Sequence, residues 1–191
     1  MRVLDTAIPD IKIIEPTVYR DSRGYFSEVY NAEEFENAIG ERFDSIQINE
    51  SQSTKGTIRG LHLQKAPYSQ AKLVRVVLGE VFDVVVDCRS NSETYGRHVA
   101  VNLSAHEKKQ LWVPRGFAHG FQVLSDTCIL SYQVDNKYAP KAELTLDVFD
   151  ADLKINWPLK ANAKLSLKDS LGSNFKSLCQ TKREPKNNFF M

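Results

Sequence analysis

The sequence predicts an all-β fold of the sandwich or barrel kind, and three observations support that prediction. Short runs rich in β-branched residues recur along most of the 191 residues. Pieces rich in Gly, Pro, Asn and Asp separate these runs, as turns separate neighbouring strands. Signals for helices are few and short. Many short strands at even spacing are typical of a sandwich or a closed barrel.

The strand candidates extend from residue 11 to residue 134. The strongest is 71–88, in which two apolar β-branched runs meet at Gly79 and Glu80, and this pattern predicts a hairpin. The other candidates are shorter runs of the same character, namely 11–19, 25–30, 44–51, 57–64, 97–103, 110–113, 120–124 and 127–134.

Two short helices are predicted beside the strands. Asn31 is a typical N-cap, acidic residues follow it, and Gly40 is a typical stop, so we expect a helix over 31–39. Ser166 opens a second predicted helix near 168–173. Both helices are short enough to lie at the periphery of a β domain.

Composition narrows the classes of function. Lys and Arg number 25 against 24 Asp and Glu, so the chain lacks the basic excess typical of nucleic-acid binding. No run approaches the ~18 apolar residues of a membrane span. The first residues lack the apolar segment of a signal peptide. We therefore expect a soluble cytoplasmic protein that binds neither nucleic acid nor membrane.

The sequence predicts one domain. It shows no internal repeat, linker or low-complexity tract, so we predict a single domain over 1–191 with a peripheral tail at 176–191. The three cysteines, Cys88, Cys128 and Cys179, are odd in number and lack C-x-x-C spacing. Neither a disulfide framework nor a zinc knuckle is expected.

The segment 56–64 is the first candidate for a functional strand. Strict alternation places Gly60, His62 and Gln64 on one face and Arg59 on the other. A bulge at Gly60 is the alternative, and it would bring Arg59 inward as well. A small residue beside His62 leaves room for a ligand, although a lone histidine on a strand is more often structural.

Two further basic side chains are candidates. Lys72 and Arg75 fall on opposite faces of one predicted strand, and an inward lysine is costly unless it is paired or acts on an anion. The alternative is a lysine on an edge strand. His119 follows a turn at Pro114 and Gly116, and taken alone it fits a structural role better than a functional one.

Six short motifs occur together in one order. They are Arg-Gly-Tyr-Phe at 23–26, Arg-Gly-Leu-His-x-Gln at 59–64, Lys-Leu-Val-Arg-Val at 72–76, Gly-Glu-Val-Phe-Asp-Val at 79–84, Pro-x-Gly-Phe-Ala-His-Gly-Phe at 114–121 and Trp-Pro at 157–158. Over roughly residues 8–170 the chain resembles the dTDP-4-dehydrorhamnose 3,5-epimerase family, which supplies the third enzyme of dTDP-L-rhamnose synthesis.

The resemblance implies a cupin, or jelly-roll, β-barrel with a few short peripheral helices, assembled as a homodimer. It implies dTDP-4-dehydro-6-deoxy-D-glucose as the substrate. It also implies four catalytic roles. His62 is the general base, Asp169 is its dyad partner, Tyr132 is the proton donor across the ring, and Lys72 lies near the sugar ketone.

The resemblance further implies a set of binding residues. Tyr138 matches the residue that stacks on thymine. Nine positions match residues that contact the substrate: Arg23, Phe26, Glu28, Gln47, Asn49, Arg59, His119, Glu143 and Lys168. In the implied homodimer, the first three of these reach the partner's substrate.

These residue types suit epimerisation next to a ketone. A C4 ketone acidifies the hydrogens on C3 and C5, and imidazole has a pKa near neutrality, as a base for such hydrogens needs. A cation such as Lys72 would stabilise the enolate oxygen. Alternation places Tyr132 among apolar neighbours in the strand 127–134, which favours its protonated form. No redox cofactor is required.

Metal catalysis is the main rival chemistry. Metal-binding cupins commonly carry a His-x-His pair, whereas this chain has His62 followed by Gln64. Only four histidines occur, His62, His98, His106 and His119, so a three-histidine site would need nearly all of them. We therefore predict no metal and no other cofactor, rather than a metal-dependent isomerase or oxygenase.

Three departures from the family pattern keep other functions open. They lie at Ala71, at 141–146 and near 149–150. The alternatives are an epimerase that inverts one carbon only, an epimerase for another nucleotide or deoxysugar, and a non-catalytic cupin that binds nucleotide sugars.

Overall fold

A computed structural model describes residues 1–180 of the chain and the side chains of residues 1–177. Within that part the strands are β1 (Arg2–Asp5), β2 (Lys12–Glu15), β3 (Val18–Asp21), β4 (Gly24–Ser27), β5 (Gln47–Thr54), β6 (Ile58–Gln64), β7 (Lys72–Leu78), β8 (Glu80–Asp87), β9 (His98–Ser104), β10 (Gln110–Val113), β11 (Phe117–Val123), β12 (Thr127–Val134) and β13 (Glu143–Thr145). The α-helices are α1 (Ala32–Ile39), α2 (Leu167–Ser170) and α3 (Phe175–Gln180), and 3-10 helices span Pro140–Ala142 and Lys160–Asn162.

Two large antiparallel sheets face each other. One has the strand order β1-β2-β10-β7-β12-β5, the other has the order β13-β6-β11-β8-β9, and β3 pairs with β4 in a separate hairpin. Apolar side chains from both large sheets meet between them, among them Val74, Leu111 and Leu130 from the first and Val85 and Phe121 from the second. This is the jelly-roll barrel that the family resemblance implied, and the predicted fold class is confirmed.

The outer faces of both sheets are covered. Phe35 of α1 packs with Phe43 and Trp112 against the six-stranded sheet. Residues 146–175 cross the outer face of the five-stranded sheet, where Trp157 packs on Phe82. The outer faces are thus packed with apolar side chains, and polar side chains line a cleft between the two sheets.

The predicted helix α1 is confirmed at both ends. The Asn31 side chain accepts hydrogen bonds from the backbone N–H groups of Glu33 and Glu34, which satisfies two of the free donors of the first turn. Gly40 ends the helix in the left-handed conformation with φ 78°. Phe35 is the residue that the helix buries against the sheet.

The predicted hairpin over 71–88 is wrong. Strand β7 lies between β10 and β12 in one sheet, whereas β8 lies between β11 and β9 in the other. Gly79, with φ 83°, therefore turns the chain from one sheet into the facing one. Both runs are central strands, which need a hydrogen-bonded neighbour on each side. The local turn signal identifies the turn but not the partners.

Other strand predictions agree to different degrees. Those for 57–64, 97–103, 110–113, 120–124 and 127–134 are confirmed within a few residues, while those for 25–30 and 44–51 are displaced toward β4 and β5. The predicted strand 11–19 is split into β2 and β3 by Pro16, which cannot donate to a ladder. The sequence does not predict β1 or β13, which are only four and three residues long.

The C-terminal predictions are tested only in part. Helix α2 confirms the second predicted helix, but it ends at Ser170 after four residues. Helix α3 begins at Phe175, and most of the predicted tail at 176–191 lies outside the described residues. In the described part of the chain, no helix is both long enough and apolar enough to cross a bilayer.

Candidate active site

Strand β6 carries the central side chains, and a bulge decides which way they point. Against β11, His62 pairs with His119, whereas Arg59 pairs with Phe121, so the register slips by one residue between the two pairs. As a result Arg59 and His62 line the same cleft, while Leu61 is fully buried.

Glycine makes this bulge possible. Gly60 has φ 129°, and a Cβ there would lie 2.5 Å from the Gly120 Cα and 2.8 Å from the His119 carbonyl oxygen. Only glycine fits such a backbone at such a distance. Strict alternation, which placed Arg59 opposite His62, is therefore wrong here, and the alternative of a bulge at Gly60 is confirmed.

His62 and Asp169 form a hydrogen-bonded pair across 107 positions of the chain. The His62 Nε2 lies 2.6 Å from the Asp169 Oδ1. Asp169 is in α2, and Ser166 caps that helix by accepting from the Asp169 N–H at 3.1 Å while its hydroxyl donates to Asp169 Oδ2 at 2.8 Å. Both carboxylate oxygens are thus hydrogen-bonded, and the helix cap fixes their direction.

The pairing favours one tautomer of the His62 ring. Burial alone would raise the pKa of Asp169, but the hydrogen bonds from His62 and Ser166 outweigh burial and hold that pKa below its ordinary value. An ionised Asp169 accepts a hydrogen bond from Nε2–H, so the Nδ1 of the neutral imidazole keeps its lone pair. The pair can therefore take up a proton at Nδ1 and stabilise the resulting imidazolium.

Lys72 is an inward lysine, as one of the two sequence interpretations predicts. It begins β7, a central strand, so the edge-strand alternative is wrong. Its side chain is buried, and the Nζ donates to the His62 carbonyl oxygen at 3.4 Å. Burial lowers the pKa of Lys72 to about 8, against the opposing negative charges of Asp83 and Glu143. The ammonium is therefore mostly present at neutral pH.

Tyr132 lies on β12 in the facing sheet and lines the same cleft as His62. Its strand neighbours Leu130 and Val134 on the same side are buried, which confirms the predicted apolar surroundings. Burial, and then the charge of Glu143, raise the pKa of the Tyr132 hydroxyl. The hydroxyl is therefore protonated at neutral pH.

A second histidine–aspartate pair lies beside the first. The His119 Nε2 is 2.8 Å from the Asp83 Oδ1, and His119 stands opposite His62 on the paired strand. Asp83 is fully buried, and its Oδ2 has no hydrogen-bond partner among the described residues. The sequence motifs include Asp83 without assigning it a role. The signal is an acid that alternates with buried Val81 and Val85 on one strand.

Three side chains meet at the mouth of the cleft. Glu143 of β13 accepts from the Tyr138 hydroxyl at 2.8 Å and pairs with the Lys168 Nζ at 2.6 Å. Burial would raise the pKa of Glu143, but Lys168 and Tyr138 outweigh it and lower that pKa. The ionised Glu143 thus connects Tyr138 to Lys168, which lies in α2.

The cleft has two lobes. His62, Lys72, Tyr132, Tyr138 and Glu143 line both of them. The first lobe has a volume of about 240 Å³ and is walled by side-chain amides, namely those of Gln47, Asn49, Gln64 and Gln70. The second lobe has a volume of about 350 Å³, and its further lining includes Arg59, Ser166, Lys168, Asp169, His119, Glu50 and Ser51.

The structure brings together eleven of the fourteen residues that the resemblance implied. The other three, Arg23, Phe26 and Glu28, lie on or next to the β3–β4 hairpin and do not line either lobe. The Arg23 guanidinium pairs with Asp21, and Phe26 is 68% exposed. Gln70, Glu50 and Ser51 also line the cleft but are not predicted, because polar residues in loops and edge strands carry no local signal of function.

No candidate metal centre is found in the part of the chain that the structure describes, since no three His, Cys, Asp or Glu side chains cluster there. The Nε2 atoms of His62 and His119 are each bonded to an aspartate. Gln64, which stands where metal cupins have a second histidine, points its amide at backbone groups.

Comparison with known proteins gives consistent results. The family model described as dTDP-4-dehydrorhamnose 3,5-epimerase matches residues 5–177. The dTDP-4-dehydrorhamnose 3,5-epimerase of Shigella flexneri is 50% identical over 175 residues, which cover 92% of this chain and 96% of that protein.

Two solved structures show the same fold. The dTDP-4-dehydrorhamnose 3,5-epimerase of Elizabethkingia anophelis NUHP1 has a TM-score of 0.89 at 48% identity, over 93% of this chain and 97% of that one. The dTDP-6-deoxy-D-glucose-3,5-epimerase of Legionella pneumophila, solved with dTDP-4-keto-L-rhamnose, has a TM-score of 0.89 at 43% identity, over 92% of this chain and 93% of that one.

Proposed function

The chain belongs to the dTDP-4-dehydrorhamnose 3,5-epimerase family, and from this premise we propose how its cleft acts. The protein is an isomerase of the carbohydrate-epimerase type. It converts dTDP-4-dehydro-6-deoxy-D-glucose to dTDP-4-dehydro-L-rhamnose by inverting C3 and C5. The observation that carries the proposal is the His62–Asp169 pair in a cleft that also holds Lys72 and Tyr132.

His62 is the base in this proposal. Its Nδ1 takes the hydrogen of C5 or C3 as a proton, and the electron pair of the broken C–H bond forms a double bond to C4. The ketone oxygen then carries the negative charge of an enolate. Asp169, at 2.6 Å from the other ring nitrogen, stabilises the imidazolium. General base help of this kind is typically worth ~10²–10⁴ in rate.

Lys72 stabilises the enolate oxygen. It is buried and, with a pKa of about 8, mostly cationic at neutral pH. A cation in a water-poor cleft interacts with developing charge more strongly than it would in water, and it needs no reorganisation at the moment of reaction. Lys72 lies on the sheet that faces His62, and its hydrogen bond to the His62 carbonyl oxygen supports a position of the cation close to the base.

Tyr132 returns the proton from the other face. It projects from the facing sheet, and its raised pKa keeps the hydroxyl protonated until an enolate forms. Transfer of its proton to the carbon restores the C4 ketone with inverted configuration. Tyr132 then regains a proton from water and His62 loses one to water, so the enzyme ends each turnover unchanged.

The nucleotide occupies the side of the cleft nearer the mouth. Tyr138 is 53% exposed there and offers its ring to the thymine. Gln47 and Asn49, which share a hydrogen bond of 2.7 Å, present amide groups to the ligand. The Arg59 guanidinium, held by Ser53 at 2.9 Å, provides positive charge for the diphosphate.

A homodimer completes the site. Arg23, Phe26 and Glu28 lie away from the cleft of their own chain, so their proposed contact with substrate requires the cleft of a second chain. The exposed Tyr19, Tyr25 and Phe26 rings on this hairpin supply apolar surface for such a contact. Analytical ultracentrifugation should give a dimer at micromolar concentration. A fully active monomer would contradict this part of the proposal.

The cytoplasm is the proposed compartment, and one domain is the proposed organisation of the chain. Cys88 and Cys128 are free thiols, as is usual in a reducing compartment. Metal-free catalysis is also proposed. The Nε2 atoms of His62 and His119 are already hydrogen-bonded to aspartates. In this proposal Lys72 supplies the positive charge at the ketone oxygen that a metal ion would supply in a metal-dependent enzyme.

The decisive experiment is incubation of the protein with dTDP-4-dehydro-6-deoxy-D-glucose in deuterium oxide, followed by NMR. Deuterium at both C3 and C5 is the expected result. Label at one carbon would indicate a single-site epimerase, and no label would indicate a non-catalytic binding protein. His106→Ala, a change at an exposed histidine remote from the cleft, is the matched control and should label both carbons normally.

A further inference from the structure

Gln64 has no role in the proposed chemistry, yet its side chain makes three hydrogen bonds to backbone groups. It ends β6, two residues after His62, and is only 6% exposed. Its Nε2 donates to the carbonyl oxygens of Tyr68 at 2.7 Å and Lys137 at 3.1 Å. Its Oε1 accepts from the Ala139 N–H at 2.7 Å. Both donors of the amide and its oxygen are therefore in use.

Two of these bonds enclose Tyr138. The Lys137 carbonyl belongs to the peptide unit before Tyr138, and the Ala139 N–H belongs to the peptide unit after it. Gln64 thus holds the backbone on both sides of a residue whose own ring is 53% exposed. The ring is held at its far end by the hydroxyl contact with Glu143 and at its near end by this backbone.

Further amides join the same loop to its neighbour. The Asn136 Nδ2 donates to the carbonyl oxygens of Pro67 at 3.0 Å and Ser69 at 3.2 Å. In return, the Gln70 Nε2 donates to the Asn136 carbonyl oxygen at 2.7 Å. The loop 65–70 and the loop 135–139 are therefore tied together from both sides, and they form the rim of the first lobe of the cleft.

We propose that Gln64 is a positioning residue that holds Tyr138 ready for the nucleotide and so determines nucleotide affinity. This inference rests on the proposed function, in which Tyr138 stacks on the base. A loop that is already ordered loses less conformational freedom when the ligand binds, so an intact set of Gln64 bonds favours binding. The hydrogen bonds of Gln64 lie outside the path of proton transfer, so their loss should change KM rather than kcat.

The test variant is Gln64→Glu. It keeps the shape of the side chain and an oxygen for the Ala139 N–H, but it replaces the two N–H donors with an oxygen that faces two carbonyls. The affinity for dTDP, measured by calorimetry, should fall about tenfold, with a matching rise in KM. The kcat should stay within about twofold of the wild type, since the His62 pair is untouched.

The matched control is Gln122→Glu. Gln122 is fully buried in the same sheet, and its Oε1 accepts from the Leu159 N–H at 2.9 Å, but it does not line the cleft. This control should lose stability without any change in dTDP affinity. Equal loss of affinity in both variants would show a general structural effect and would overturn the proposal.

Two further variants make the test specific to Tyr138. In a Tyr138→Ala background, Gln64→Glu should cause no additional loss of dTDP affinity, because the residue through which it acts is gone; additive losses would overturn the proposal. Should Gln64→Glu fail to fold, Asn136→Ala removes three hydrogen bonds of the same loop, those to the carbonyl oxygens of Pro67 and Ser69 and that from the Lys137 N–H. This variant should weaken dTDP binding in the same direction. Unchanged affinity in that variant would overturn the proposal as well.

Hydrogen exchange separates this inference from the proposed function. The amides of 137–139 should exchange faster in Gln64→Glu than in the wild type, with no ligand present. If the wild type does not bind dTDP, the proposed function is wrong, and unchanged exchange at these amides would independently overturn the role of Gln64.

Discussion

The two histidine–aspartate pairs of the cleft lie side by side on paired strands, yet their surroundings differ. The His62 side chain is 27% exposed, and both oxygens of Asp169 are bonded. The His119 side chain is 7% exposed, and Asp83 is fully buried with one oxygen unbonded. The first pair combines access for a substrate with a stabilised carboxylate, as a base needs, whereas the second provides a fixed buried charge near Lys72.

The largest effect is expected from removal of the base. His62→Ala should abolish solvent exchange at C3 and C5, with a loss of roughly 10⁴ or more in kcat/KM, because no other group takes the proton. His119→Ala should reduce kcat/KM less, since the role proposed for His119 is to contact the substrate and not to take its proton. Deuterium incorporation by NMR and circular dichroism check both variants. A folded His62→Ala protein with full exchange would rule out the mechanism.

The next effect separates the two halves of catalysis. Tyr132→Phe removes the proposed proton donor on the opposite face and leaves His62 in place. The variant should exchange substrate hydrogens with solvent but form inverted product ~10²–10⁴ more slowly. NMR of product and label in one sample measures both quantities. Near-normal epimerisation would mean that Tyr132 is only a core aromatic.

A smaller effect concerns the buried charge of the second pair. In the proposed mechanism the protonated form of Lys72 is the active one, so kcat/KM should fall as pH rises through about 8. Asp83 raises the pKa of Lys72, and Glu143 on β13 does the same, whereas Lys168 on α2 lowers it. Asp83→Asn should therefore move the fall in kcat/KM to lower pH.

Profiles of kcat/KM between pH 6 and pH 9.5 check this prediction. Asp169→Asn is the comparison, because loss of the bond that orients His62 should lower the rate at every pH rather than displace the basic limb. An Asp83→Asn profile with an undisplaced limb would show that Asp83 does not set the charge of Lys72.

The smallest effect is expected from chelation. In both pairs the histidine Nε2 is hydrogen-bonded to an aspartate, and the side-chain amide of Gln64 is hydrogen-bonded to backbone groups. Incubation with EDTA should therefore leave kcat/KM unchanged. Loss of activity that a divalent ion restores would show that one of these pairs opens to hold a metal.

The sequence by itself determined the local features of this protein. Helix α1 follows from Asn31 and Gly40, and the strands 110–113 and 127–134 follow from their composition, because caps and strand propensity depend on neighbours in the chain. The inward face of Tyr132 follows from the period of a strand. The order of six motifs was enough to identify the family and, through it, eleven residues of the cleft.

Only the tertiary structure decided what depends on partners far along the chain. It separated β7 from β8, which a turn signal alone joins into a hairpin. It turned Arg59 to the side of His62, because Gly60 and Gly120 approach too closely for any side chain between them. It joined Gln64 to the backbone around Tyr138 and left Asp83 buried beside Lys72. Hydrogen bonds and burial of this kind are satisfied between strands and loops distant in sequence, so no local pattern of residues specifies them.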